Sequence, residues 1–161
     1  MSSRIDEINY YGGGQDVTEA VKIRLYPTDE QKKIINQNIG NRGFIWNKML
    51  VKIKYEKVKP TQKTLNNVLK ELRIEYPFLE KSESSSRQQV YRDLIKAYNK
   101  HKKEGAGFPK FKSQKNPNVS FRIQANNNNI RLNERKNRIQ IPKIGKIKFK
   151  TSKEHKQKIQ E

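Results

Sequence analysis

One alternating stretch near the start of the chain constrains its fold more than any other feature. Within Val17–Tyr26, residues Val21, Ile23 and Leu25 fall on one side, and Lys22, Arg24 and Tyr26 on the other. That period of two is the mark of a half-buried strand with a basic outer face, and Pro27 ends it. A lone strand has to find partners. Neither the preceding residues 1–16 (MSSRIDEINYYGGGQD), which carry a Gly triplet and no apolar period, nor the stretch that follows supplies one. The leader reads as flexible, and the next alternating pattern begins only after residue 115. The simplest closure pairs residues 17–27 with those late strands, with everything between inserted as a lobe. The expected fold is α+β: a small β-barrel or curled sheet with basic outward positions, interrupted by helices.

The inserted part reads as helical from residue 28 to 104. Thr28-Asp29-Glu30-Gln31 has the form of a capping box, with its acids at the positive helix end. Ile34, Ile35 and Ile39 begin an apolar side, which Phe44, Ile45, Met49, Leu50 and Ile53 resume after Gly40 and Gly43. Each glycine costs about 1 kcal/mol inside a helix. The segment is therefore open to three readings: a helix-turn-helix, one kinked helix, or glycines kept for close packing. Pro60-Thr61 starts a second helix with the stripe Leu65, Val68, Leu69 and Leu72, stopped at Tyr76-Pro77, with Phe78 and Leu79 as an anchor after the turn. Residues within Ser82–Ser86 cap a third, with the stripe Val90, Tyr91, Leu94, Ala97 and Tyr98, running to about Lys103. From residue 105 to 150 the period changes. Gly107–Lys112 (GFPKFK) is a turn with two aromatics. Val119–Gln124 alternates as a strand, Asn126–Asn129 forms a polar turn, Ile130–Leu132 and Arg138–Ile141 flank a hairpin, and Ile144, Ile147 and Phe149 mark a last strand. Residues 151–161 read as a frayed basic tail.

Charge narrows the partner. The 161 residues carry 36 Lys+Arg against 16 Asp+Glu, a net charge of +20. Only four of the acids, Glu104, Glu134, Glu154 and Glu161, fall in the last 61 residues, and none there is Asp. An AT-rich codon bias accounts for much of the Lys and Asn, but not for that loss of acids. A chain so basic favours a polyanion, through counterion release at phosphates. Several clustered carboxylates, which a two-metal phosphodiester site needs, are not easily found in the basic third. The absence of Cys excludes disulfides, thiolate zinc sites and cysteine nucleophiles. Two histidines, His101 and His155, leave little room for an imidazole metal site. No run approaches the roughly 18 apolar residues of a membrane span, so a membrane partner is not expected, and no small-molecule substrate is implied.

Several segments, taken together and in order, resemble the TnpB family of proteins encoded by insertion sequences. They are Lys22-Ile-Arg-Leu-Tyr-Pro with Gln31, Gly43-Phe44 with Trp46-Asn47, Leu72–Leu79 (LRIEYPFL), Leu94–Tyr98, Gly107–Lys112 and Ile139–Lys148 (IQIPKIGKIK). The resemblance covers about residues 18–150. It implies an RNA-guided DNA endonuclease, historically described as a transposase with an opening helix-turn-helix, whose first portion is a wedge barrel interrupted by a helical recognition lobe. It implies a structured guide RNA and double-stranded DNA next to a target as partners, and a cytoplasmic, nucleoid-associated location. In intact members it also implies Mg2+ at a RuvC-like nuclease site and a structural Zn2+. Neither the acidic triad nor the zinc-ribbon cysteines of those sites is found in this sequence. The chain is therefore expected to represent an amino-terminal piece or shortened derivative, with an incomplete barrel, that binds without cleaving and has no catalytic residue and no cofactor of its own. A stand-alone DNA- or RNA-binding repressor and an inert truncated product are the alternatives.

The resemblance places DNA-motif reading at the start of the third helix and after Ser120-Phe-Arg, hence at Ser84, Ser85, Gln88, Asn126 and Asn127. Asn and Gln can pair bidentately with adenine edges. Helix capping by Ser84 and turn formation by the asparagines are the plainer roles. Phosphate contacts, which carry no sequence information, fall to Lys22, Arg24, Lys110, Lys112, Lys146 and Lys148. Phe108 and Phe111 are candidates for base stacking or for plugging the core; Tyr26, Trp46, Tyr91 and Tyr98 are read as packing residues.

Overall fold

The structure is a computed structural model that describes residues 7–11, 20–113, 115, 120–125 and 128–150, with the backbone alone at 7–11 and 20–22. Among the described residues, five strands and three α-helices make it α+β: β1 (Glu7–Tyr11), β2 (Ala20–Tyr26), α1 (Asp29–Lys54), α2 (Gln62–Glu75), α3 (Ser84–Glu104), β3 (Arg131–Asn133), β4 (Arg138–Ile141) and β5 (Gly145–Lys150). The strands form one antiparallel sheet in the order β1-β2-β5-β4-β3. The sheet is open, with β1 and β3 at its edges. The chain divides into two compact units, one holding the sheet and the opening of α1 through Ile35, the other spanning Asn36–Gln124.

In the sheet unit, β2 pairs with β5 as the alternation requires, Arg24 opposite Lys150 and Tyr26 opposite Lys148. The apolar positions form its core: Ile23, Leu25, Ile139, Ile141, Ile144, Ile147 and Phe149 are all buried, together with Ile35. Each such side chain contributes about 1.5–3 kcal/mol when fully buried. Gly145 (φ 94°) and Lys143 (φ 64°) turn the chain between β4 and β5 in left-handed backbone. One strand lies where a flexible leader was expected: Glu7–Tyr11 is β1, paired antiparallel with β2. An edge strand is held by its ladder of main-chain hydrogen bonds, so it can form where composition gives no apolar run.

The capping box forms as expected at the start of α1. Thr28 N donates to Gln31 Oε1 (2.9 Å), and Gln31 N donates to Thr28 Oγ1 (3.2 Å). The glycines do not interrupt α1, which is one helix from Asp29 to Lys54. A Cβ built at Gly43 would meet Lys112 Cβ at 3.8 Å, and none is met at Gly40.

In the helical unit the stripes converge. Ile45, Trp46, Met49, Leu50 and Ile53 of α1 pack with Leu65, Val68, Leu69 and Leu72 of α2, Leu79, and Val90, Tyr91 and Leu94 of α3. Thr61 caps α2, and Tyr76 closes it. Leu79 sits in a short 3-10 helix, Pro77–Lys81. Of the expected strand Val119–Gln124, Val119 lies outside the described residues, and residues 120–124 have no regular structure. Side-chain hydrogen bonds hold them in place of a sheet ladder: Arg42 donates to Ser120 O (2.8 Å), and Gln124 N donates to Ser85 Oγ (2.9 Å).

Candidate nucleic-acid interface

The two faces of the sheet differ sharply. Opposite the apolar core, the outward positions are Arg24 and Tyr26 on β2, Lys146, Lys148 and Lys150 on β5, Arg138 and Gln140 on β4, and Arg131 and Asn133 on β3. All are exposed except Arg138, which is half-buried. The register sets cations directly opposite one another, Arg24 against Lys150 and Arg138 against Lys148. Directly opposed like charges destabilise a strand pair. Tyr26 offsets part of this: its ring lies 5.4 Å from the Arg24 guanidinium and 5.3 Å from the Lys150 ammonium, within cation–π range. By register Glu7 of β1 stands on the other side of Arg24. The outward positions of β2, β4 and β5 described here carry no carboxylate.

Strands stand about 4.8 Å apart, and alternate residues along a strand about 6.8 Å apart. The face is therefore a lattice of closely spaced cations. Arg24, Lys146 and Lys148 stand on it as expected. By register Lys22 of β2 pairs with Asn9 of β1. The alternation of the last strand puts Lys150 on the same face as Lys146 and Lys148, although it is not among the expected phosphate contacts; neither are Arg138 and Arg131, and Tyr26 is expected as a packing residue. The signal for all four was the same alternation, extended through the hairpin register.

The start of α3 is fixed by a buried polar lattice. Glu83 is the N-cap, and its carboxylate accepts from Ser86 N (2.7 Å) and Ser85 Oγ (2.6 Å). Its own N–H donates to Asn38 Oδ1 of α1 (3.1 Å). Arg87, 4% exposed, donates to the carbonyls of Leu79 (2.9 Å) and Ser82 (2.7 Å). Burial lowers the pKa of its guanidinium, while nearby Glu80 opposes that shift. Of the expected reading residues, Ser85 is committed at both ends, donating to Glu83 and accepting from Gln124 N. Exposed Ser84 and half-buried Gln88, four apart on one helix face, make no side-chain hydrogen bond among the described residues. Asn126 and Asn127 lie outside the described residues. Ser84 is the first residue of α3 and not its cap.

The Gly107–Lys112 turn is docked on α1. Trp46 Nε1 donates to Lys110 O (2.8 Å), and Asn47 exchanges two hydrogen bonds with Lys112 (2.7 and 3.0 Å). Phe108 packs against the helical core beside Tyr98 and His101. Exposed Lys110 and Lys112 extend from the turn. Lys112 Nζ lies 4.5 Å from the Trp46 ring; desolvation lowers its pKa, Arg42 adds to the effect, and Asp93 opposes it. No three His, Asp or Glu side chains gather into a metal-binding group among the described residues. No helix among them is long and apolar enough to cross a membrane.

A basic sheet face with no carboxylate at the described outward positions of β2, β4 and β5 suits a polyanionic partner. Residues 17–59 match a family described as the helix-turn-helix domain of IS605-type OrfB proteins. Over that segment the chain is similar to the opening domain of IS605 OrfB/TnpB-type transposases. Within the matched span the structure has β2 and the single helix α1, with both glycines inside the helix. No curated protein matches the chain.

Proposed function

We propose that this chain is the nucleic-acid-binding portion of a TnpB-like guided DNA endonuclease, engaging a structured guide RNA and duplex DNA beside a target. The observation that carries this is the directly opposed cation pairs Arg24–Lys150 and Arg138–Lys148. They cost the free protein stability, and an anion laid across them relieves that cost. Lys22, Lys146 and Lys148 neutralise phosphates on the sheet, and Lys110 and Lys112 do so from their turn, all without reading sequence. Ser84 and Gln88 supply hydrogen-bonding groups for base edges, joined by Asn126 and Asn127; Ser85 holds the 120–124 segment in place.

In this reading the sheet is the part of a wedge barrel that this chain provides. Residues 17–27 and 105–150 act as the wedge, and 28–104 as the recognition lobe. The protein works in the cytoplasm, on the nucleoid when bound to DNA. The chain alone binds and does not cleave.

Sequencing the RNA that co-purifies with the chain from a host carrying its native locus, after a high-salt wash, tests the proposal. One discrete RNA from the end of the element is expected. A smear of host RNA that disappears as salt rises would reduce the function to charge alone. Metal-dependent cutting of duplex DNA by the purified chain would overturn the non-cleaving assignment.

A further inference from the structure

A second feature of the helical unit is not explained by its core. Val51, Tyr55 and Phe111 are exposed by 37%, 64% and 45%. Val51 and Tyr55 are four residues apart at the end of α1, where Tyr55 N still donates to Val51 O (2.9 Å). Lys54 Nζ lies 5.3 Å from the Tyr55 ring and 6.0 Å from the Phe111 ring, so the two rings share one ammonium. Scattered exposed apolar residues are ordinary, but adjacent ones invite an explanation.

Phe111 is not loose. Trp46 fixes the carbonyl of the residue before it, and Asn47 fixes both the N–H and the carbonyl of the residue after it. Pro109, two residues earlier, is buried. The turn is thus anchored on both sides of a ring that still faces water. A side chain presented this way is ready to stack without further ordering. Cations flank it, with the Lys54 ammonium near both rings and exposed Lys110 and Lys112 on either side in sequence.

Flat aromatic faces with adjoining lysines suit bases that are out of a duplex, since every base has a π face and each is followed by a phosphate. In a double helix those faces are covered by neighbouring bases. RNA presents them openly, in loops and bulges. We infer that Tyr55 and Phe111 form a stacking site for unpaired RNA bases, with Lys54, Lys110 and Lys112 holding the adjoining phosphates. This rests on the nucleic-acid-binding reading above and adds to it a ligand conformation and two residues.

The test titrates the full chain with labelled RNA hairpins carrying an unpaired purine loop, with a blunt RNA duplex of the same length, and with single-stranded DNA of the loop sequence. The looped RNA is expected to bind about 10-fold more tightly than the duplex. Tyr55→Ala and Phe111→Ala each remove most of that preference, while Tyr55→Phe and Phe111→Tyr keep it. Both alanine variants melt with the wild type, because neither ring belongs to the core cluster. A loop preference that survives both alanine substitutions would overturn the site. Single-stranded DNA bound as tightly as the looped RNA would overturn its assignment to RNA. If the wild type binds none of the three even at low salt, the nucleic-acid reading itself falls. If it binds all three equally, and the alanine variants do the same, only the stacking site falls.

Discussion

The side-chain amide of Gln31 donates from Nε2 to the main-chain carbonyl of Lys146 at 2.8 Å, while its Oε1 accepts from Thr28 N. One residue thereby closes the capping box of α1 and ties that first turn to β5, the strand that carries Lys146, Lys148 and Lys150. The two roles are separable. Gln31→Glu keeps the acceptor at the helix start and loses the donor to β5, for an expected loss of about 1 kcal/mol. Gln31→Ala loses both, about 2 kcal/mol. Urea denaturation midpoints check this; a Gln31→Glu protein as stable as the wild type would show that the bond to Lys146 contributes nothing.

Arg87 is the most demanding side chain of the helical unit. Its guanidinium is the donor for two carbonyls at the junction of the 3-10 helix and α3. Arg87→Met leaves both without that partner and is expected to destabilise the protein by about 2–4 kcal/mol. Arg87→Lys recovers less than half of this, since a point-like ammonium does not match the planar fork. Thermal unfolding of both variants distinguishes the two effects.

Asp93 holds the 120–124 segment. Its carboxylate pairs with Arg42 (3.6 Å) and Arg122, and accepts from Gln89. Asp93→Asn removes the charge that both arginines face. Amide hydrogen exchange at residues 121–124 is expected to speed up about 10-fold, equivalent to about 1.4 kcal/mol of lost local protection. Arg122→Ala, at a side chain 65% exposed, produces a smaller change. Unchanged exchange in Asp93→Asn would mean that the contacts to Ser85 and Ser120 suffice.

The sheet face is expected to trade stability for binding. Lys148→Gln removes one cation from the Arg138–Lys148 pair, and should stabilise the free protein by about 0.2–1 kcal/mol while weakening nucleic-acid binding. Melting with and without a short duplex reads both signs in one experiment. A variant less stable than the wild type when free would show that the opposed charges cost nothing.

Much of this architecture is legible in the sequence because its period survives burial. Ile23 and Leu25 alternate with Arg24 and Tyr26 since one face meets the core and the other water, and the stripe of α2 repeats as a helix must. Thr28 and Gln31 announce a cap because its chemistry is local. What escapes the sequence depends on distant partners. Gly40 and Gly43 look like a break, yet α1 runs through them, with the 107–112 turn packed alongside Gly43. Phe121 and Ile123 alternate like a strand, but their segment is held by Arg42 and Ser85, which no local pattern reveals. Ser85 looks as available for base reading as Ser84; its engagement by Glu83 and Gln124 is visible only in three dimensions. Which cations face each other was likewise hidden until the register of β2, β4 and β5 was known.

The central claim is that the sheet face binds nucleic acid through its cation lattice. Its most direct test is the dependence of duplex DNA affinity on salt, for the wild type and for Arg24→Gln/Lys148→Gln/Lys150→Gln. Each phosphate contact contributes about 0.9 to the slope of log K against log salt. The triple variant is predicted to bind more weakly at low salt, with a slope shallower by about 2–3. An unchanged slope and affinity would contradict the account and move the binding surface off the sheet.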